Sequence, residues 1–334
     1  MGRRGLSFLA VAALLAVVDA VLPGILDVYY LHVVNVALVN MLLALGLNYI
    51  VGFGGQISLA QAAFFGIGAY TYAVATLHHL PLGAAVGLSL LFAVAGGLVI
   101  GWPSLKLRGH YLALATLGFG IIVNEFLVNL SGVTGGANGL MNIPPLAAGS
   151  VVLGNDAAMF RFMLVVAALA VAASAAFSRT PLGLKVRAFR DDETAAEAAG
   201  VNVRGIKLLL FLASALYAGL AGVFYAALIG YVSPDVFAWD TTFTYLVMIV
   251  VGGLGSTAGA VAGAVLLTLV PEWLRFLQNS YLAVFGVVVI VVMAFFPGGL
   301  AHAGGGVPGW VRARGLVRAF GRRPAKSVAE DEAS

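Results

Sequence analysis

Apolar runs of 17 to 25 residues recur along almost the whole chain, separated by short polar or glycine-rich breaks. A helix of about 20 apolar residues crosses a hydrocarbon core of ~30 Å. There, every backbone polar group must be hydrogen-bonded within its own element or a closed sheet. The runs are continuous rather than alternating, which excludes a β-barrel. The sequence therefore predicts an all-α polytopic membrane protein with about ten transmembrane helices. They lie roughly at 6–22, 31–51, 59–76, 82–102, 111–130, 157–177, 207–230, 241–256, 258–276 and 281–296. Composition agrees, with 61% hydrophobic and 10% charged residues and a mean hydropathy of +1.02. The absence of cysteine excludes disulfides and thiolate chemistry.

Charge gives the orientation. With the amino terminus inside, 16 of the 18 basic residues fall on one side: Arg3, Arg4, Lys106, Arg108, six in 178–207 and six in Arg312 to Lys326. This is the positive-inside pattern, so both termini are expected in the cytosol. The basic pI thus reflects loops at a membrane face, and no nucleic-acid partner is expected. The opening residues also resemble a signal peptide ending at Val18-Asp-Ala20. Cleavage there leaves the remaining spans unchanged. Residues 1–300 are read as the membrane domain and 301–334 as a basic tail, in which 310–320 suits an amphipathic surface helix and 321–334 disorder.

Ten of the 32 charged side chains lie in 178–207, SRTPLGLKVRAFRDDETAAEAAGVNVRGIK. Burying ten charges in the bilayer would cost about 30 kcal/mol at ~2.5–3.5 kcal/mol each, so the segment is expected in water. Pro181 and Gly183 read as the end of the preceding helix. Asp191, Asp192 and Glu193 then suit a helix start and Gly200 the position past its end, which predicts a short helix over 192–199. A helix under ~12 residues is marginal alone and needs something packed on it. The segment reads either as a solvated connector or as a helix for a groove on another subunit.

Several stretches resemble the M-type permease subunit of branched-chain amino-acid ATP-binding cassette (ABC) importers. They are GLNYIVGFGGQISLAQAAFFGIGAY (46–70), LRGHYLALATLGFG (107–120), TGGANGL (134–140), LGLKVRAFRDDETAAEAAGVN (182–202) and YLVMIVVGGLGSTAGAVAGA (245–264). The resemblance implies that 178–207 is a cytosolic coupling loop seated in an ATPase subunit. Arg190, Asp191, Asp192, Glu193, Thr194, Ala195, Ala196, Glu197 and Gly200 would be its contact residues. In the Glu-Ala-Ala-x-x-x-Gly pattern of such importers, counted back from Gly200, Thr194 replaces the glutamate, so no salt bridge carries over from that place. The resemblance further implies two ATP-binding subunits, a distinct H-type permease, an external substrate-binding protein and a bacterial inner-membrane location. It implies no cofactor in this chain, since the partners bind ATP.

Two segments repeat one pattern: Val-Gly, a glycine-rich break, then a helix of small residues, at 51–68 and 251–264. Gly255, Gly259 and Gly263, like Ser214, Ala218, Gly222 and Ala226, recur at the spacing that lets helices approach closely. The break at Gly52 to Ser58 is either a membrane-embedded interruption or a cytosolic turn. Glycine-interrupted segments in the two halves of a transporter point to its pathway. On the first reading Asn48, Gln56, Ser58 and Gln61 contribute to or flank the translocation route. The outer segment 131–156 suits a turn-rich surface loop; the resemblance makes it a candidate contact for the binding protein, with an ordinary surface loop as the alternative.

Other signals carry little. There is no phosphate-cradling G-x-x-x-x-G-K-[ST], and Gly304-x-Gly306-x-x-Gly309 has no preceding strand. His78 and His79 are a thin basis for a metal site. The sequon at Asn129 matters only in a glycosylating host. Glu125 is the one acid well inside a central span, where an ion-driven secondary transporter would need several titratable groups. A membrane enzyme would need a convergent nucleophile or acid–base set, which is not apparent. Within the ABC reading, urea, amides or aromatic acids are alternative solutes to branched-chain amino acids.

Overall fold

A computed structural model describes residues 27–148, 151–152 and 154–273, together with 286, 299 and 300. The expected spans 6–22 and 281–296 and the tail 301–334 lie essentially outside these residues. Within them the regular structure is helical apart from a ribbon pairing Ala147–Ala148 with Val151–Val152. Ten helices organise the description. They are α1 (Val28–Leu47), α2 (Gln61–Leu77), α3 (Leu82–Ser104), α4 (His110–Asn129) and α5 (Asp156–Phe177), then α6 (Pro181–Asp191), α7 (Glu193–Ala198), α8 (Val203–Ile229), α9 (Thr241–Gly252) and α10 (Thr257–Trp273).

Five are long and apolar enough to cross a membrane: α1 with its continuation to Phe53, α3, α4, α5 and α8. At 12 residues α9 spans about 18 Å, short of a full crossing, where the sequence predicted a span over 241–256. The reason is local. Gly253 and Gly255 both take positive φ, so the helix stops at Gly252. Before α9, the 3₁₀ turn Pro234–Phe237 lies against the middle of α2, with Phe237 packed on Phe65 and Tyr70.

Helices α1 and α8 form the centre. α8 packs on α1, α2 and α3, while α10 and α5 pack on α1. Small residues permit this. A Cβ placed on Gly222 would sit 2.5 Å from the Phe65 carbonyl oxygen, and one on Gly68 2.6 Å from Gly219 Cα. Backbones in contact gain dispersion that side chains in lipid would otherwise supply. The stripe Ser214, Ala218, Gly222 and Ala226 is buried as its spacing predicts. Gly259 and Gly263 likewise pack α10 on α9, but Gly255 lies outside that face, two residues before α10 begins.

The 131–156 segment is fastened rather than free. Leu140 pairs with Val232 in both directions, at 2.9 and 3.0 Å, and the Ile143 amide donates to the Gly230 carbonyl. Asn124 in α4 donates to the Pro234 carbonyl at 2.9 Å.

Candidate functional site

The charged stretch folds as two helices, not one. The chain leaves α5 at Phe177, and Thr180 caps a new helix by accepting a bond from the Gly183 amide at 3.1 Å. Pro181 therefore opens α6 at its first position, where its missing N–H costs nothing, rather than only ending the previous helix. Gly183, Val186 and Phe189 face inward at intervals of three, and the basic residues face out. At Asp192 the backbone turns to extended geometry and α7 begins.

α7 has only six residues, yet both ends are closed. The Asp192 carboxylate accepts from the amides of Thr194 (2.8 Å) and Ala195 (2.9 Å). At the other end Gly200 (φ +81°) donates to Glu197 O and Val201 donates to Ala196 O, each at 3.0 Å. This paired pattern is a Schellman cap. Ala196 is buried on the inner side of α7, while Thr194, Ala195, Glu197, Ala198, Ala199 and Gly200 are exposed. α7 thus presents a small-residue face outward.

The expectation that all the charges of 178–207 lie in water fails at Lys207. Its side chain is 1% exposed and pairs with Glu193 Oε1 at 2.9 Å, while Arg108 Nε reaches the same oxygen at 3.1 Å. The ammonium also donates to Leu107 O at 3.2 Å and stands over the Phe189 ring. A buried ammonium persists only when paired and hydrogen-bonded, and these partners meet that condition. The trio ties α7 to the start of α4 and the start of α8. Glu193 is accordingly turned into the protein.

Arg190, in the last turn of α6, reaches the first glycine break. Its Nη1 donates to Gly52 O at 2.7 Å. This break follows α1 through a π-helical segment, Asn48–Phe53, after which residues 55–60 have no helical structure. The two breaks noted in the sequence touch. Asn48 is fully buried, accepts from the Gly255 amide at 3.0 Å, and its Nδ2 lies 3.5 Å from Ser256 O. Gly52 must be glycine here, because a Cβ would lie 1.8 Å from Asn48 Oδ1 and 2.6 Å from Gly255 N.

Unwound backbone inside a bundle needs partners for its amides and carbonyls. Thr116 of α4 accepts from the Leu59 amide at 2.9 Å. Thr242 of α9 accepts from the Ala62 amide at 3.1 Å and lies 3.4 Å from Leu59 O. Gln61 is buried, donating to Leu43 O at 2.9 Å and accepting from Ser214 Oγ at 2.7 Å, so its amide links α1, α2 and α8. Ser58 is 1% exposed, with its Oγ 3.5 Å from the Ala60 amide. The Gln56 Oε1 is buried and has no hydrogen-bond partner among the described residues.

The nine residues expected at the charged loop thus divide. Thr194, Ala195, Glu197 and Gly200 lie on the exposed face with Asp191, Asp192 caps the helix, Glu193 and Ala196 turn inward, and Arg190 is exposed but reaches back to Gly52 O. Asn48, Gln56, Ser58 and Gln61 cluster along the first break. Glu125 is exposed on α4 and accepts from Asn129 at 3.0 Å. Among the described residues no group of three or more His, Asp or Glu could hold a metal ion. Sequence reasoning missed Lys207, Arg108, Thr116, Thr242 and Ser256. For Lys207 a signal was present: Val203, Ile206, Lys207, Leu210, Phe211 and Ser214 follow the 3-4 spacing of a single buried helix face.

Comparison with known proteins gives the same direction. Residues 29–296 match the family described as the branched-chain amino acid transport system / permease component. The high-affinity branched-chain amino acid transport system permease protein LivM of Escherichia coli K12 is 34% identical over 293 residues, covering 80% of this chain and 69% of its own. A probable LivM of Methanocaldococcus jannaschii is 24% identical over 287 residues, 74% and 80% of the two chains. The autoinducer 2 import system permease LsrC of E. coli is 28% identical over 318 residues, 85% and 86%. No solved structure matches. With a helical bundle whose breaks and capped surface helix fall on the matched residues, this chain belongs to the permease-component family of branched-chain amino acid transport systems.

Proposed function

We propose that the chain is the membrane-spanning subunit of an ATP-driven importer for branched-chain amino acids, working with two ATP-binding cassette subunits, an H-type permease and an external binding protein. It is a multi-pass protein of the bacterial inner membrane, about ten spans in all, with both termini in the cytosol. It performs no covalent chemistry and holds no cofactor; ATP is bound and hydrolysed by its partners. The similarity to LivM over 80% of the chain supports the substrate class.

The observation that carries the coupling role is α7. It is a short helix closed at both ends, tied to α4 and α8 by Glu193, with its small-residue face left open. The exposed face, with Asp191, seats in an ATPase subunit, and displacement of α7 shifts α4 and α8. That is binding energy biasing a two-state element. Asn48, Gln56, Ser58 and Gln61 flank the route, with Asn48 and Gln61 bracing the unwound stretch and Gln56 and Ser58 nearest the solute. Co-expression with genes for the proposed partner subunits and purification through a tag on this chain should recover both ATPases and the second permease. Proteoliposomes supplied with the external binding protein should then take up leucine only with ATP inside the cytosolic compartment. Scrambling 192–200 should abolish uptake in an inserted protein. Uptake under an ion gradient alone, or undiminished uptake after scrambling, would overturn the reading.

A further inference from the structure

Asn48 ties the two glycine breaks together from inside the bundle, but the second tie comes from outside it. Arg190 belongs to α6, one residue before the turn into α7. Its guanidinium donates to Gly52 O at 2.7 Å in the first break. In the second break a Cβ on Gly255 would lie 2.7 Å from the same Nη1 and 2.9 Å from Gly52 O, and a Cβ on Gly55 would lie 2.8 Å from Arg190 Cγ. The side chain, exposed along its outer side, therefore lies against both breaks, and the glycines leave room for it. Among the described residues Arg190 makes no ion pair. Its charge is directed at a carbonyl oxygen, where a charged donor is worth more than a neutral one. The tie runs from the α6–α7 elbow to the two places where the transmembrane helices are interrupted.

We infer that Arg190 is a positioning residue, a latch that holds the two breaks against each other and releases them when the elbow moves. This rests on the importer reading given above. α7 has one connection to the membrane helices through the half-buried Glu193, held by Arg108 and Lys207, and a second through the exposed Arg190, which a small rotation of α6 would withdraw. Only the second reaches the breaks. Movement of the elbow by a partner thereby changes the packing of 52–60 against 253–256 without unfolding either.

The test uses the complete transporter. The chain has no cysteine, so Ile57→Cys and Leu254→Cys place two spin labels on exposed positions of the two breaks. Dipolar EPR then reports the distance between breaks with and without a non-hydrolysable ATP analogue. In the otherwise native chain the distribution should be narrow without nucleotide and shift when it is added. R190M keeps the stem beside Gly55 but removes the donor. It should broaden the nucleotide-free distribution and lower leucine uptake about tenfold or more at equal complex yield. R190K retains one charged donor and should stay within about threefold of the native uptake with a narrow distribution. If R190M does not accumulate, R190Q against R190K carries the same comparison. A native-like distribution and uptake in R190M, or equal impairment in R190M and R190K, would overturn the latch. A native label distance that ignores nucleotide while the ATPases are present would also overturn the latch, whereas failure to recover any ATPase with the chain would instead overturn the importer reading.

Discussion

Helices α1 and α4 are both long and apolar enough to cross a membrane, yet they occupy opposite environments. In the most apolar window of α1 and its continuation 83% of residues are buried in the protein; in that of α4 the share is 28%, and it is the same for α5. Hydropathy does not separate them. Inside hydrocarbon an apolar side chain gains little by moving from lipid to protein, so burial follows close packing and polar pairing instead. The central helices carry small residues and amide side chains, such as Asn48, Gln61 and Ser214, whose hydrogen bonds need neighbouring backbone. The outer helices show large side chains outward, among them Leu91, Phe92, Leu114 and Leu169.

The contrast can be attacked through substitutions of graded effect, each read as thermal unfolding in detergent. K207M should cost about 3–5 kcal/mol, because it leaves Glu193 half-buried beside Arg108 alone. Addition of E193Q to that background should recover part of the loss. A native melting temperature in K207M would mean that the buried trio does not hold the inner ends together. Q61L should cost about 1–3 kcal/mol, since the Leu43 carbonyl and Ser214 hydroxyl both lose a partner without water at hand. L91A, on the outer face at 62% exposure, should change stability by less than about 0.5 kcal/mol. A reversal of the last two would mean that polar pairing is not what sets the centre of the bundle apart.

Much of this was legible in sequence. The spans from 31 to 230 fall within a few residues of α1 to α5 and α8, because long apolar periodicity is a strong local signal. Asp192 and Gly200 marked the ends of α7 for the same reason, capping being decided by residues three or four apart. What stayed hidden depends on partners far along the chain. Arg190 meets a carbonyl 138 residues away, and Lys207 meets Leu107 O 100 residues away. Composition near Arg190 says only that it is charged and near a turn. A count of charges along the chain places Lys207 in water, whereas its position on the apolar stripe of α8 is a matter of helical phase. Thr116 and Thr242 are unremarkable in apolar runs until the amides of the unwound Leu59 and of Ala62, in the first turn of α2, are seen to require bonds.

The capping of α7 at both ends has a kinetic consequence. Six residues would ordinarily sample many shapes before one fitted a groove, and each encounter would fail unless the right shape happened to be present. Here the shape exists beforehand, so little chain entropy remains to be surrendered on contact. On the proposed importer reading, engagement with an ATPase would then proceed at the pace of collision and alignment rather than of folding, and each stroke of the motor would be delivered to a solid part instead of being absorbed by a loose one.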